Sequence, residues 1–386
     1  MDDYRWLVGE GAGRLLAELA AAPHDALAAA RTLRKNLSAT RVHLLLEQVE
    51  LRQRARAKFA SADRMFFTPV ALEQASDEWV AAHKARRFVS QEPVLDLCCG
   101  VGGDLIALGR RGRTIGVELN RATALLATAN APESAAVVVG NAAEVAVHTA
   151  WHIDPDRRAT GRRATRTELY EPGPEVLDHL LQSNPAGSLK LAPAAVLPDR
   201  WVSDAELEWI SRAGECRQLV AWFGRLAVNV GGRCATVLIG NEHPPTFRTL
   251  VGDPNVAPAI ASNFGRYLAE PDAAVLAAGL VGVLAREHAL AALAPGAVYL
   301  TGDRAAPDAA LAWFEIDEAV PFDVKRLRSL LRERGIGRLE IKKRGVDIDP
   351  ERLRRELCVP GDEHATLFLA RRGRSVTALL ARRLEL

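Results

Sequence analysis

Hydrophobic residues near the start of the chain recur at the spacing of an α-helix. Val42, Leu45, Leu46 and Val49 fall at positions i, i+3, i+4 and i+7, which places them along one side of a helix. The surrounding sequence is rich in Ala and Leu and holds few Gly or Pro residues after its first stretch. These patterns predict an N-terminal helical domain over residues 1–90.

Basic residues lie on this predicted helix or directly after it. They are Arg41, Arg52, Arg54, Arg56 and Lys58. Such a charge run either forms a solvated face or contacts a polyanionic substrate, and the pattern leaves both interpretations open.

From Pro93 onward, short apolar runs alternate with segments of helical pattern. This alternation is typical of right-handed βαβ units and of a parallel sheet. The segment 215–228 has the spacing of a helix. The predicted strands cover residues 93–98, 114–118, 136–139, 152–154, 188–192, 207–211 and 234–239. We therefore predict an α/β fold, with a Rossmann-like sheet of seven strands over residues 91–250.

The last third of the chain changes pattern twice. Prolines interrupt residues 251–320, which we interpret as a connecting subdomain with a helix over 273–293 and a strand over 312–316. Residues 321–386 hold 17 Lys and Arg against 10 Asp and Glu, a surplus of seven positive charges. There the pattern predicts a small α/β module. Its elements are a helix (323–334), a strand (337–342), a helix (350–357) and strands at 365–370 and 376–382.

Composition narrows the class of protein. The net charge of +2 over 386 residues excludes a polybasic chain, so any affinity for nucleic acid must come from local patches. Five scattered cysteines without a CxxC pair argue against a disulfide framework and a zinc module, so we expect no metal. With neither a basic leader nor a long apolar run, the sequence predicts a soluble, cytoplasmic protein without a membrane partner.

A glycine-rich loop follows the first predicted strand. Gly100, Gly102 and Gly103 allow backbone to approach a ligand closely at the edge of the sheet where α/β proteins bind ligands. The third glycine of a dinucleotide fingerprint is missing. Asp96 and Asp104 flank the loop, and these acids would repel a pyrophosphate but suit a sulfonium cation and an ammonium group. Together with an acid for ribose at Glu118, the loop favours S-adenosylmethionine as the cofactor.

The segment from Asp96 to Gly103 resembles the first motif of the class I methyltransferases, and residues 118–120 resemble their acidic post-motif. The resemblance implies that Asp96 holds the methionine ammonium and that Glu118 binds the ribose. It also implies that Asn141, where the family often has Asp, bonds the adenine edge. The cofactor-binding residues implied by these motifs are Asp96, Cys98, Gly100, Gly102, Glu118, Asn120 and Asn141.

Asp154 and Pro155 occupy the position of the fourth motif and are the predicted catalytic residues. Asp154 could accept a hydrogen bond from a target amine and orient its lone pair, or it could simply cap a loop. Methylases of exposed bases usually have an aromatic residue after this motif, and here Asp156 and Arg157 follow instead. The segment also resembles the uracil carbon methylases, which need a nucleophilic cysteine near the sixth strand. Cys216 and Cys234 are nearby, but neither lies in a recognisable motif for that role. Arg157 and Arg158 are predicted to position phosphate, unless nearby acids pair with them.

Phe67, Thr68 and Pro69 precede the predicted sheet. They resemble the entry motif of the cap-guanosine methylases, which implies that Phe67 and Thr68 form a lid over the cofactor. Thr68 and Pro69 also suit an ordinary helix start, with Thr68 as N-cap. The two interpretations are compatible.

The segment 339–357, together with residues 154–158, resembles a bacterial family of class I methyltransferases with a C-terminal THUMP-like domain. The resemblance implies a THUMP-like domain over 321–386 and a ferredoxin-like piece within 251–320. It also implies RNA contacts by Lys342, Lys343 and Arg344, although a packing module with a solvated basic face remains open. We therefore expect an enzyme that methylates a base nitrogen in structured RNA. The alternatives are a methyltransferase for a small molecule or protein, and an inactive protein that binds S-adenosylmethionine or RNA.

Overall fold

The computed structural model describes residues 1–21, 26–157, 165–242, 244–344, 346–372 and 375–386. The chain divides into two units. Unit 1 comprises Met1–Leu207, Gln218–Gly231 and Gly240–Thr246, and unit 2 comprises Glu208–Arg217, Gly232–Ile239 and Phe247–Leu386. In the described part of the chain, no helix is long and apolar enough to cross a membrane.

The first part of unit 1 is helical, as predicted. Its buried core includes Leu16, Leu45, Phe59 and Phe67. The helices are α1 (Asp2–Leu7), α2 (Glu10–Ala21), α3 (Ala26–Leu33), α4 (Ala39–Ala55), α5 (Pro69–Gln74) and α6 (Glu78–Ala85).

The basic residues on and after α4 are held by intramolecular contacts. Arg41 pairs with Asp3, and Arg56 pairs with Asp63. The ammonium of Lys58 donates hydrogen bonds to the backbone carbonyls of residues 72, 73 and 75, which lie at the C-terminal end of α5. These contacts make the basic strip part of the helical packing.

Among the described residues, the first sheet has nine strands, two more than predicted, in the order β3-β2-β1-β4-β5-β7-β6-β8-β9. Strands β1 to β5 are parallel and β7 runs antiparallel to β5. The strands are β1 (Val94–Leu97), β2 (Thr114–Glu118), β3 (Ala135–Val139), β4 (Trp151–Ile153), β5 (Gly187–Leu191), β6 (Ala205–Arg212) and β7 (Glu215–Phe223). The helices are α7 (Gly103–Arg111), α8 (Arg121–Asn130), α9 (Pro174–Ser183) and α10 (Asp199–Asp204). Strands β6 and β7 have residues in both units.

The helix predicted over residues 215–228 was wrong, because most of this segment is strand β7. Residues 218–223 are all buried, and a short run that is apolar on both faces does not reveal its period. Ala213 and Gly214 have φ values of 53° and 76°, the left-handed conformation of a two-residue hairpin turn. This turn joins β7 to β6.

Unit 2 contains a sheet with the strand order β10-β12-β13-β11-β14-β17-β16-β15. Its strands are β10 (Ala259–Ile260), β11 (Tyr267–Pro271), β12 (Ala291–Ala292), β13 (Leu300–Gly302), β14 (Leu311–Pro321), β15 (Ile336–Arg344), β16 (Glu363–Arg372) and β17 (Ser375–Arg383). Strands β8 (Arg233–Ile239) and β9 (Thr246–Gly252) follow β6 in the other sheet. The helices are α11 (Ala273–Ala278), α12 (Val281–Glu287), α13 (Val324–Glu333) and α14 (Pro350–Leu357).

The element order predicted for residues 321–386 is confirmed. Helices α13 and α14 place Leu327, Leu331 and Leu353 in one buried cluster with residues of β15 to β17. The single helix predicted over 273–293 was wrong, because α11 ends at Gly279 in the left-handed conformation and α12 begins after it. Strand β14 runs through the predicted boundary at residue 320 and pairs with both β11 and β17.

Candidate functional site

The loop between β1 and α7 has the backbone conformation that its glycines predict. Gly100 and Gly102 have φ values of 55° and 92°, which L side chains rarely adopt. Cys98 also has a positive φ, of 57°. Helix α7 begins directly after Gly102, so its free N–H groups lie at this end of the sheet.

A cavity of about 1060 Å³ lies beside this loop, in unit 1. It brings together most of the predicted site, because parallel strands end at the same edge of a sheet. The predicted residues that line it are Thr68, Asp96, Cys98, Gly100, Glu118, Asn120, Asn141, Asp154, Pro155 and Arg157. Gly102 is not among the lining residues, and it forms the left-handed turn directly before α7.

Asp96 is the buried acid of the cavity, with 1% of its surface exposed. Neither carboxylate oxygen forms a hydrogen bond with a residue that the structure describes. Burial, followed by the nearby carboxylate of Asp104, raises the pKa of Asp96 well above its usual value. A buried acid without a partner suits a cationic ligand group, such as the ammonium of an amino acid.

Asp104 also lines the cavity, but it already has a cation. Its Oδ1 lies 2.6 Å from Nζ of Lys84, and its Oδ2 accepts a hydrogen bond from Ser76 at 2.8 Å. Burial opposes ionisation of Asp104, yet Lys84 and His152 hold its pKa well below the usual range. Of the two acids beside the loop, Asp96 is therefore the one that suits a cationic ligand.

Glu118 at the end of β2 connects the loop to the neighbouring helix. Its Oε2 accepts a hydrogen bond from the backbone N–H of Gly100 at 3.0 Å, and its Oε1 accepts one from Asn120 at 2.8 Å. An ionised carboxylate has about four acceptor sites, so capacity for ribose hydroxyls remains.

Asn120 and Asn141 have local structural tasks as well as their places in the lining. Asn120 is the N-cap of α8 and accepts hydrogen bonds from the N–H groups of residues 122 and 123. Asn141 accepts one from Ala143 and donates its amide to Glu144 at 3.2 Å. Cofactor binding by Asn120 and by Asn141 remains a prediction.

The structure separates the two residues of the predicted lid. Thr68 caps α5 by accepting a hydrogen bond from Ala71 and lines the cavity. Phe67 is fully buried among the N-terminal helices. The side-chain amide of Gln48 donates a hydrogen bond to the backbone carbonyl of Phe67 and accepts one from the backbone N–H of Phe67. The Phe67 side chain does not line the cavity, because it packs in the hydrophobic core of the N-terminal helices.

Asp154 forms an ion pair that the sequence analysis missed. Its Oδ2 lies 2.5 Å from Nζ of Lys190, in the middle of β5. Lys190 also donates to the carbonyl of Gln74 at 2.8 Å, and the Gln74 amide donates to Asp156 at 2.7 Å. The sequence signal for this ion pair was a lysine between two leucines of a buried strand, because charged residues are rarely buried without a partner.

Tyr170 is the second residue that the sequence analysis missed. It lines the cavity and is buried, and burial raises the pKa of its hydroxyl, while Arg157 lowers it. A backbone pair between Asp156 and Glu171 holds the two segments together, with hydrogen bonds of 2.8 and 2.9 Å. Arg157 is described and lines the cavity, whereas Arg158 lies outside the described residues.

The three predicted basic residues of β15 do not share one face. Lys342 forms an ion pair with Glu270 and lies over the ring of Phe314. Side chains alternate along a strand, so Arg344 shares the face of Lys342 and Lys343 takes the opposite one. All three lie in unit 2, where Lys342 is already neutralised.

Comparison with known proteins identifies relatives of this chain. Residues 311–383 match the family described as THUMP domain-like, and residues 1–55 match a domain of unknown function. A crystal structure from Porphyromonas gingivalis W83, assigned to the methyltransferases, has a TM-score of 0.78 and 22% identity. The match covers 100% of this chain and 98% of that one, which shows a shared fold.

Two curated relatives come from Mycobacterium tuberculosis, strains CDC 1551 / Oshkosh and ATCC 25618 / H37Rv. Both are described as uncharacterized S-adenosylmethionine-dependent methyltransferases. Each is 33% identical over 354 residues, which cover 85% of this chain and 92% of the relative. The chain therefore belongs to the S-adenosylmethionine-dependent methyltransferases, with a THUMP-like domain at its C-terminus.

Proposed function

We propose that this methyltransferase methylates a base nitrogen in structured RNA. The observation that carries the proposal is that Asp154 and Tyr170 line one cavity with Asp96. The fourth motif lacks the aromatic residue that usually stacks on an exposed base. Tyr170 supplies an aromatic side chain to the same cavity from a later segment.

S-adenosylmethionine, when bound, supplies an electrophilic methyl group on a sulfonium. Asp96 would hold its ammonium, since the buried carboxylate lacks a partner among the described residues, and Glu118 would accept from the ribose hydroxyls. Asp154 would accept a hydrogen bond from the target amine and so orient the nitrogen lone pair. Tyr170 would stack on the base, and Arg157 would bind a phosphate.

RNA is the favoured acceptor for two reasons. Residues 311–383 match a THUMP-like family, and residues 321–386 carry a surplus of seven positive charges. Basic surfaces bind nucleic acid through its phosphates.

The alternative of covalent carbon methylation has less support, because burial raises the pKa of the Cys216 thiol to about 12 and so disfavours the thiolate.

Mass spectrometry of nucleosides from total RNA tests the proposal. A strain that lacks the gene should lose one methylated base, and the wild-type gene should restore it. The Asp154→Asn variant should bind S-adenosylmethionine but fail to restore the base. If the nucleosides of the deletion strain are unchanged, the acceptor is a small molecule or a protein, or the chain only binds its ligands.

RNA affinity tests the C-terminal domain separately. Lys343→Glu and Arg344→Glu should each weaken RNA retention and reduce its salt dependence. Lys342→Glu is a poor probe, because Lys342 is paired with Glu270. Lys35→Glu, an exposed charge reversal in the turn between α3 and α4, is the matched control. Equal retention by the β15 variants and wild type would contradict RNA contacts at β15.

A further inference from the structure

Lys190 is a charged residue inside a buried strand. It lies in β5 between Leu189 and Leu191, with 5% of its side chain exposed. Burying an ammonium costs free energy unless the charge is paired and hydrogen-bonded. Asp154 supplies the charge at 2.5 Å and the carbonyl of Gln74 supplies a second acceptor at 2.8 Å.

Gln74 is connected to both acids of the Asp-Pro-Asp segment. Its side-chain amide donates directly to Oδ1 of Asp156 at 2.7 Å. Its backbone carbonyl accepts from Lys190, which in turn pairs with Asp154. The last residue of α5 therefore holds the first acid through Lys190 and the second acid through its own side chain.

We propose that Lys190 and Gln74 are positioning residues that hold Asp154 and Asp156 for methyl transfer, an inference that rests on the proposed role of Asp154. Lys190 acts through Asp154, because its ammonium is buried and already has two acceptors. The lysine pairs with the carboxylate of Asp154 and fixes one of its oxygens. The other oxygen remains available for a target amine.

Four variants separate this role from simple packing. Lys190→Met keeps the aliphatic stem and removes the charge, whereas Lys190→Arg keeps the charge. Gln74→Leu removes the amide that binds Asp156 and leaves the backbone carbonyl in place. Lys58→Met is the matched control, because Lys58 binds carbonyls at the end of the same helix, α5, and makes none of the hydrogen bonds to Asp154 or Asp156 described above.

Methyl transfer from labelled S-adenosylmethionine is measured on an extract of the deletion strain, with RNA, protein and small molecules counted separately. For Lys190→Met we expect kcat to fall by about 10²-fold, with cofactor affinity changed by less than about threefold. Lys190→Arg should recover part of kcat, and Lys58→Met should keep the wild-type kcat.

Hydrogen–deuterium exchange over residues 154–157 gives a readout that needs no acceptor. We expect faster exchange in Lys190→Met and Gln74→Leu than in wild type and Lys58→Met. If Lys190→Met fails to fold, Lys190→Arg and Gln74→Leu decide the question by the same measurements.

The two proposals fail in different ways. Wild-type label in the protein or small-molecule fraction would overturn RNA as the acceptor and still allow the variants to be compared. Wild-type kcat in Lys190→Met would overturn the positioning role. If the wild-type protein labels no fraction, unchanged exchange over 154–157 overturns it, and faster exchange supports it.

Discussion

Lys84 and Asp104 form a buried ion pair, with 2.6 Å between Nζ and Oδ1. Their side chains are 3% and 8% exposed. The pair joins α6 to the first turn of α7, directly after the glycine loop. Lys84 therefore neutralises Asp104, whereas the carboxylate of Asp96, the other acid beside the loop, has no hydrogen-bond partner among the described residues.

Removal of the charge on Lys84 should destabilise the protein strongly. Lys84→Met leaves Asp104 buried without its cation, so the free energy of unfolding should fall by about 3–5 kcal/mol. Lys84→Met with Asp104→Leu should recover much of this loss, since both charges are then gone. Urea unfolding measures each value, and the exposed Lys35→Met should change it by less than about 0.5 kcal/mol. If the single and the double variant lose the same free energy of unfolding, the loss does not come from the unpaired charge of Asp104.

Affinity for S-adenosylmethionine should depend on pH through Asp96. Burial raises the pKa of this carboxyl, so it binds a proton at pH values where an ordinary aspartate is ionised. A protonated Asp96 offers no charge to the ligand ammonium. The affinity should therefore rise with pH as Asp96 ionises, and level off once it is fully ionised.

Calorimetric titrations between about pH 5 and pH 9 measure this dependence. Asp96→Asn should bind about 10- to 100-fold more weakly than wild type at high pH, as expected for the loss of a hydrogen bond to a charged group. Its affinity should also lose the dependence on pH. A slope that persists in Asp96→Asn would assign the titration to another group.

Substitutions of Glu118 and Asn120 should have different effects on cofactor affinity, although the two residues are only two positions apart. Glu118→Ala removes an acceptor from the cavity and a hydrogen bond from the loop, so cofactor affinity should fall by about 100-fold. Asn120→Ala removes the N-cap of α8 and should cost about 1 kcal/mol of stability, with a small effect on affinity. Titration and thermal unfolding of both variants check this, and a large loss of affinity in Asn120→Ala would show direct binding.

Phe67 should behave as a core residue. Phe67→Ala leaves a cavity among the N-terminal helices and should cost about 3–5 kcal/mol of unfolding free energy. The folded variant should bind S-adenosylmethionine nearly as well as wild type. Thr68→Ala, which loses the cap of α5, should cost about 1 kcal/mol. Weak cofactor binding by a stable Phe67→Ala variant would restore the lid interpretation.

Local sequence predicted the turn after Asp96 and the acid at the end of the next strand. The turn after Asp96 needs glycines for its positive φ values, and Glu118 closes the next strand, so both features appear as short motifs. The C-terminal elements were equally clear, because α13 and α14 have strongly one-sided hydrophobic patterns. Strand β7 was predicted as a helix because its buried residues show no alternation of apolar and polar side chains.

The sequence by itself therefore determined the cofactor class and the alternating α/β pattern, which depend on residues close together in the chain. Only the tertiary structure decided which acid at the loop lacks a partner among the described residues, which lysine pairs with Asp154, and that Tyr170 lines the cavity. Lys84 lies 20 residues before Asp104, Lys190 lies 36 residues after Asp154, and Tyr170 reaches the cavity through a backbone pair. Such contacts depend on which strands and helices become neighbours, and no short motif encodes that choice.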